Sequence, residues 1–240
     1  DTTFWDEIYF NEDYTKDSIR FNRVSNVFQL KQYENSNKKV TFGKRAFLGF
    51  EFSQGSAPGR YEGVDERSKI KYSDIFAGGG IYRRTGKFWT WNFDGKIYLA
   101  GRSAGQTELR GIISKPFKFL GDSLAALTFD GALENLVADP FQETFYSNHA
   151  HWDNTFKMEQ RMTAGGKFVS HKRKIELGAK YAILNNYIFN DVNAIPTQTN
   201  AQLVILSAYL DKDFNYRNLH FRTRLLWQKP SNQDIIHLPD

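Results

Sequence analysis

The 240-residue chain contains no cysteine, which excludes a disulfide-stapled scaffold and any thiol chemistry. It also lacks a run of about 18 apolar residues, so no helix in it is fit to cross a bilayer. That absence leaves a membrane β-barrel untouched, because barrel strands need only about ten alternating residues. No basic start followed by an apolar stretch is present, so any export signal has been removed or lies outside this chain. The 32 Lys and Arg are interspersed among 27 Asp and Glu with no basic block, and a nucleic-acid partner is therefore not expected. There is no G-x-G-x-x-G, P-loop or G-x-S-x-G pattern; AGGG at 77–80 reads as a bulge and SAGQ at 103–106 as a turn. No enzyme is expected, and no cofactor.

Aromatic side chains are plentiful, with 21 Phe, 12 Tyr and 5 Trp. The organising stretch is FWTWNFDGKIYLAGR, 88–102. Trp89, Trp91, Phe93, Gly95, Ile97 and Leu99 share one parity, while Thr90, Asn92, Asp94, Lys96 and Tyr98 share the other. Only a pleated strand separates residues this way. The pattern recurs along the chain. Ala46, Leu48, Phe50 and Phe52 oppose Arg45, Glu51 and Ser53, and Leu109 and Ile113 oppose Glu108 and Arg110. Met162 and Phe168 oppose Glu159, Arg161 and Lys167, Leu177 and Ile183 oppose Glu176 and Lys180, and Leu225 and Trp227 oppose Arg222 and Arg224. Residues 201–210 are apolar on both faces and a turn is expected at 212–217, while 1–17 shows no clear period. About ten strands emerge.

The connections alternate in length: short near Asn35, long near Pro58, short near Thr85, medium near Ala104, short near Asp122, long near Asp139, short near His171, long near Pro196 and short near Asn215. An up-and-down membrane barrel has short turns at one end and long loops at the other, whereas a Greek-key sandwich has no reason to order its loops so. Several full charges per strand cannot fill a dry interior. The polar face therefore needs water, which leaves the apolar face outermost, and an apolar exterior is stable in lipid. There a sheet has to close. The fold expected is all-β, an antiparallel up-and-down transmembrane β-barrel, with residues 1–240 forming one barrel domain or a fragment of a larger one; closure of ten strands stays open.

On this fold the lumen charges expected to bias ion passage are Arg45, Glu51, Asp94, Lys96, Glu108, Arg110, Glu159, Arg161, Lys167, Glu176, Lys180, Arg222 and Arg224, the alternative being a salt-bridged wall that merely stays wet or holds a plug. The lipid contacts expected are Leu48, Phe50, Phe52, Trp89, Trp91, Phe93, Ile97, Leu99, Leu225 and Trp227. His149, His151 and Asp153 in HAHWD have the spacing of a His-x-His chelate, but a complete metal site needs further partners and the sequence identifies none, so tying of neighbouring backbone is the alternative. Ser147 beside His149 is the sole hint of a hydrolase.

The segments ETFYSNHAHWDNTF (143–156) and FRTRLLWQKPSNQDIIHLPD (221–240) resemble those of the putative porin family of outer-membrane β-barrels. The likeness rests on Tyr-Ser-Asn-His…Trp-x-Asn at 146–154 and Trp-Gln…Leu-Pro at 227–239, and covers roughly the second half of the chain. It implies a bacterial outer-membrane barrel that passes small solutes and has no assigned active site. The function expected is passive diffusion of small solutes or ions through a charged, water-filled lumen. The alternative is a plugged structural or docking barrel whose long loops recognise a surface or periplasmic protein. Outer-membrane lipid is the expected surrounding, with a second copy or another outer-membrane protein as a further partner class.

Overall fold

The computed structural model describes residues 7–35, 37, 41–57, 69–85, 89–233 and 235–236. Ten long strands make one antiparallel sheet: β1 (Arg20–Gln32), β2 (Gly43–Ser56), β3 (Lys69–Arg83), β4 (Thr90–Gly101), β5 (Thr107–Phe119), β6 (Asp122–Leu136), β9 (Glu159–Ser170), β10 (Ile175–Asn185), β13 (Leu203–Tyr216) and β14 (Leu219–Pro230). Each pairs with the long strand before and after it, and β1 and β14 are the two free edges. Two small hairpins sit in the long connections. One is β7 (Thr144–Tyr146) with β8 (His151–Asp153), preceded by the short helix α1 (Pro140–Glu143); the other is β11 (Ile188–Asn190) with β12 (Pro196–Gln198). The all-β, antiparallel, consecutively paired architecture agrees with the alternation in the sequence, and the sheet is not closed.

The register slips steadily across the sheet. One row of directly opposed residues runs Gly43, Tyr82, Asn92, Ile112, Asp130, Gly165, Lys180, Ser207, Gln228. It begins on the first residue of β2, beside the short connections, and finishes near the last residue of β14, beside the long ones. A progressive stagger of this kind is the shear that a tilted, barrel-forming sheet requires.

The interior of a soluble domain is missing. Among the described residues Leu48 is 54% exposed, Phe50 45%, Ile97 42% and Leu225 61%, while four of the five largest fully buried side chains are polar: Asn148, Asp74, Ser53 and Ser170. The buried apolar cluster amounts to Tyr146 with Phe10 packed on it.

Local details differ from the periodicity in three places. The glycines of 78–80 are not a bulge. They pair regularly, and the irregularity falls at Ile75 and Phe76, opposite Leu99. The glycines serve packing instead: the Phe47 ring lies over Gly78 and the Phe76 ring over Gly49, so close that a Cβ at either glycine would come within 2.3 Å or less of a ring carbon. Strand β13 continues through 212–216 to a turn at 217–218, because Tyr209, Asp211 and Asp213 sustain the alternation that the apolar first half conceals. The stretch 135–156, unstructured by its pattern, contains α1, β7 and β8. Asp139 caps α1 by accepting from the Phe141 N–H at 2.8 Å, and Gln142 closes the capping box. The predicted turns at 34–39 and 84–87 and the long loop near Pro58 fall partly or wholly outside the described residues.

Candidate functional site

Strand pairing puts the thirteen charged residues singled out by periodicity on one face of the ten-stranded sheet. Leu48, Phe50, Phe52, Trp91, Phe93, Ile97, Leu99, Leu225 and Trp227 lie on the other, and Trp89 immediately precedes β4. The charges on the polar face are joined mostly across strands. Arg45 reaches over Gly80 on the intervening strand to Asp94 at 2.6 Å, and Arg110 binds Glu134 at 2.7 Å with Glu108 at 3.5 Å. Arg161 pairs with Glu159, and Lys167 with Glu176 at 3.4 Å, where the Tyr209 hydroxyl also donates at 2.7 Å. Arg224 grips both oxygens of Asp211 at 2.6 and 2.7 Å, and Arg222 stands 3.8–3.9 Å from Asp213 and Asp211. Lys96 rests 4.2 Å from the centres of the Phe76 and Tyr98 rings and donates to the Tyr98 hydroxyl, which faces Glu51. Pairs of this half-exposed kind contribute about 0–1 kcal/mol each. Their effect is a fixed field of mixed sign along a polar wall.

Between β4 and β14 this face holds a recess of about 750 Å³, lined by Arg110, Asp130, Glu134, Arg161, Lys180 and Ile205 among others. Asp130 and Lys180 face one another across Gly165 of β9. Periodicity put Asp130 on the polar parity but gave it no special weight; its importance comes from its place in the row, which only pairing reveals.

At the end of the sheet that carries the long connections, a knot of polar contacts holds the first described segment. Asn148 is 1% exposed. Its Oδ1 accepts from the backbone N–H groups of Phe10 and Asn11 at 3.1 and 2.9 Å, and its Nδ2 donates to the Asn11 carbonyl at 2.7 Å and to Thr15 Oγ1 at 3.1 Å. The same connection reaches the polar face of the first strand, where the Phe141 ring meets Phe21 edge-on at 6.0 Å. Arg102 fastens it from below through Glu143 and the Ala138 carbonyl. Asp74, 2% exposed, accepts from the Ser103 N–H and hydroxyl at 2.8 and 2.9 Å and so fixes the turn at 103–106.

The HAHWD residues belong to this knot. One ring nitrogen of His149 lies 2.8 Å from Thr15 Oγ1 and the other 3.0 Å from the Glu7 carbonyl. His151 packs edge-on against Tyr9, and Asp153 accepts from the Tyr146 hydroxyl at 3.2 Å. Among the described residues no group of three or more His, Cys, Asp or Glu is arranged to hold a metal ion. The Ser147 hydroxyl donates to the Ala150 carbonyl and accepts from its N–H, closing the hairpin turn. These residues tie backbone together.

At the opposite end Glu34 clasps two neighbouring turns, accepting from the N–H groups of Arg84 and Thr85 at 2.7 and 3.1 Å and from the Thr85 hydroxyl. Burial pushes this carboxyl up, but the hydrogen bonds and the nearby Arg83 outweigh it and hold it below its ordinary value.

The family model described as "Putative porin" matches residues 1–240. No curated protein matches the chain.

Proposed function

The chain belongs to the putative porin family, and from that premise we propose that it forms an outer-membrane channel for passive diffusion of small solutes or ions, with the charged face turned to a water-filled lumen. The observation that carries this reading is the inverted distribution of side chains. Large apolar residues such as Leu48, Phe50 and Leu225 are exposed, and the largest fully buried side chains are mostly polar. In water such a surface aggregates; in lipid it is the favoured exterior. The charges of Arg45, Glu51, Asp94, Lys96, Glu108, Arg110, Glu159, Arg161, Lys167, Glu176, Lys180, Arg222 and Arg224 then form a hydrated wall that weights ion passage. Leu48, Phe50, Phe52, Trp89, Trp91, Phe93, Ile97, Leu99, Leu225 and Trp227 form the lipid band. In the membrane the edges β1 and β14 are paired, since unpaired backbone is not tolerated in hydrocarbon. Gating and transport need no covalent chemistry.

On this reading the connection 137–158, which reaches Phe21 through Phe141, limits the size of solutes entering from the long-loop end. Planar-bilayer recording tests the reading. Discrete conductance steps that shift in ion preference when Arg110 or Glu134 is neutralised are expected. A folded, inserted barrel that stays electrically silent would overturn it in favour of a plugged docking barrel.

A further inference from the structure

We propose that the groove crossing the apolar face between Lys44 and Gly131 holds one acyl tail of an anionic phospholipid, with the lipid's phosphate at Lys44 and Gln32. The proposal rests on the membrane orientation argued above and names a lipid which that orientation seats there.

The groove has a volume of about 1210 Å³ and is larger than the recess on the polar face. Strand pairing gives its shape. The floor consists of residues with little or no side chain: Ala46 on β2, Gly95 on β4, Gly111 on β5 and Gly131 on β6. Ile113 and Phe129, directly opposite one another, stand on the side of the short connections, and the opposed row Leu109, Leu133 and Met162 stands on the other side. At two crossings a neighbour covers the floor. Leu109 Cδ2 lies 2.9 Å from where a Cβ of Gly95 would be, and the Phe93 ring 2.7 Å from one at Gly111. At Gly131 the floor is open, and a Cβ there would meet the Thr163 carbonyl oxygen at 3.3 Å and nothing closer.

A polar end and an apolar course set the ligand. Of the lining residues that stand on this face, Gln32 and Lys44 alone are polar, and they are directly opposite one another at the short-connection end. On its other side Lys44 faces Ile81, and its ammonium lies 5.1 Å from the centre of the Phe42 ring. Glu34, at the same margin, is taken up by the N–H groups of Arg84 and Thr85. The cation is thus left for an anion from outside. Phe42 and Trp91 meet beside it at 6.3 Å between ring centres, and aromatic residues gather at headgroup depth. From β2 to β6 is four strand spacings, about 19 Å, whereas a tail that reaches the bilayer centre spans about 15 Å. The floor therefore accommodates the tail over its whole length. A second copy meeting this face would bring Lys44 no anion, because every Asp and Glu of the ten strands stands on the polar face.

The test uses the full chain folded into vesicles of phosphatidylcholine with a minor share of phosphatidylglycerol, extracted in mild detergent and weighed intact by native mass spectrometry. One retained phosphatidylglycerol, in preference to phosphatidylcholine, is expected. Lys44→Gln should lower that preference about fivefold. Gly131→Leu, which fills the open part of the floor, should abolish retention, and Leu99→Ala, on the same face but outside the groove, should leave it unchanged. If Gly131→Leu does not insert, Lys44→Gln decides alone. Inserted protein that retains both lipids equally, that retains phosphatidylglycerol undiminished in the Lys44 and Gly131 variants, or that flies as a lipid-free dimer would overturn the proposal and leave the channel reading standing. A chain that does not insert into the vesicles at all would overturn the membrane orientation, and the lipid in the groove with it.

Discussion

Placing one charge on the apolar face measures what that face touches. Leu48 lies in β2 between Phe28 on one side and Ala77 on the other, and is 54% exposed. It stands five residues beyond Gly43, hence about 17 Å along the strand, which at a tilt of about 40° is about 13 Å of height. An apolar band is about 25 Å tall, so Leu48 sits near its middle. Leu48→Arg leaves the backbone ladder intact and displaces no buried neighbour. Its cost is therefore almost entirely the solvent's. In lipid an arginine at the midplane costs about 2–4 kcal/mol, a shift of about a hundredfold in the folding equilibrium, whereas at a water-exposed position a surface change stays within about 0.5 kcal/mol. The assay is urea-driven unfolding of the protein in liposomes, read by tryptophan emission and by the mobility shift of folded barrels on gels. Arginine placed beside Lys44, close to the short-turn end, is the control and should cost under about 1 kcal/mol. Equal stabilities for Leu48→Arg, the control and the parent chain would refute the membrane orientation, and with it the wet lumen.

Asn148→Ala should remove the node that holds 9–15 against the β7–β8 hairpin. It strands backbone donors of Phe10 and Asn11 that the side chain now satisfies, at about 1–3 kcal/mol. Faster hydrogen exchange confined to residues 9–15 and the hairpin is expected, with the ten-stranded sheet unchanged; uniform exchange would count against a local node. Glu34 gives a pH signature. Its folded pKa lies below the ordinary 4.5, so the clasp contributes fully above that value and is lost as pH falls through the depressed one. Proteolysis or exchange of the turns near Glu34 and Thr85 should rise on acidification within that window, and Glu34→Gln should abolish the dependence.

How much of this was legible beforehand follows from what a period of two can encode. Alternation fixes which residues share a face, so Arg45 with Glu51 and Leu48 with Phe50 could be separated before any coordinates, and consecutive antiparallel pairing followed from the ordered connections. The whole-chain family match extends a likeness first seen in 143–156 and 221–240. Periodicity does not encode register between strands, and the polar face depends on register. That Arg45 meets Asp94 across Gly80, or that Asp130 confronts Lys180 across Gly165, follows from which residues stand opposite. Asp211 was missed for another reason. The apolar half of β13 hid the alternation that carries it, and its bidentate arginine lies on the next strand. The knot around Asn148 was invisible because its partners, more than 130 positions away in the chain, are mostly backbone groups that no side-chain pattern marks.

The arrangement divides its tasks by height. With few buried apolar side chains among the described residues, cohesion comes from the strand ladders, and in lipid each broken ladder bond leaves a group costing several kcal/mol. Three buried polar nodes stand at the strand ends. Asp74 holds the turn at Ser103, Asp122 accepts from Ser170 at 2.6 Å and from the Lys172 N–H at 3.0 Å beside the shortest turns, and Asn148 holds the segment before β1. Changes there leave donors stranded and loosen the fold. The half-exposed pairs in the middle of the polar face contribute little to stability, so Arg110, Glu134 or Lys180 can vary in charge at small cost to the scaffold. The field along a lumen depends on those same residues. On the proposed channel reading, a sheet built this way separates folding from selectivity: its ends specify which strands meet, and its waist is left free to specify what passes.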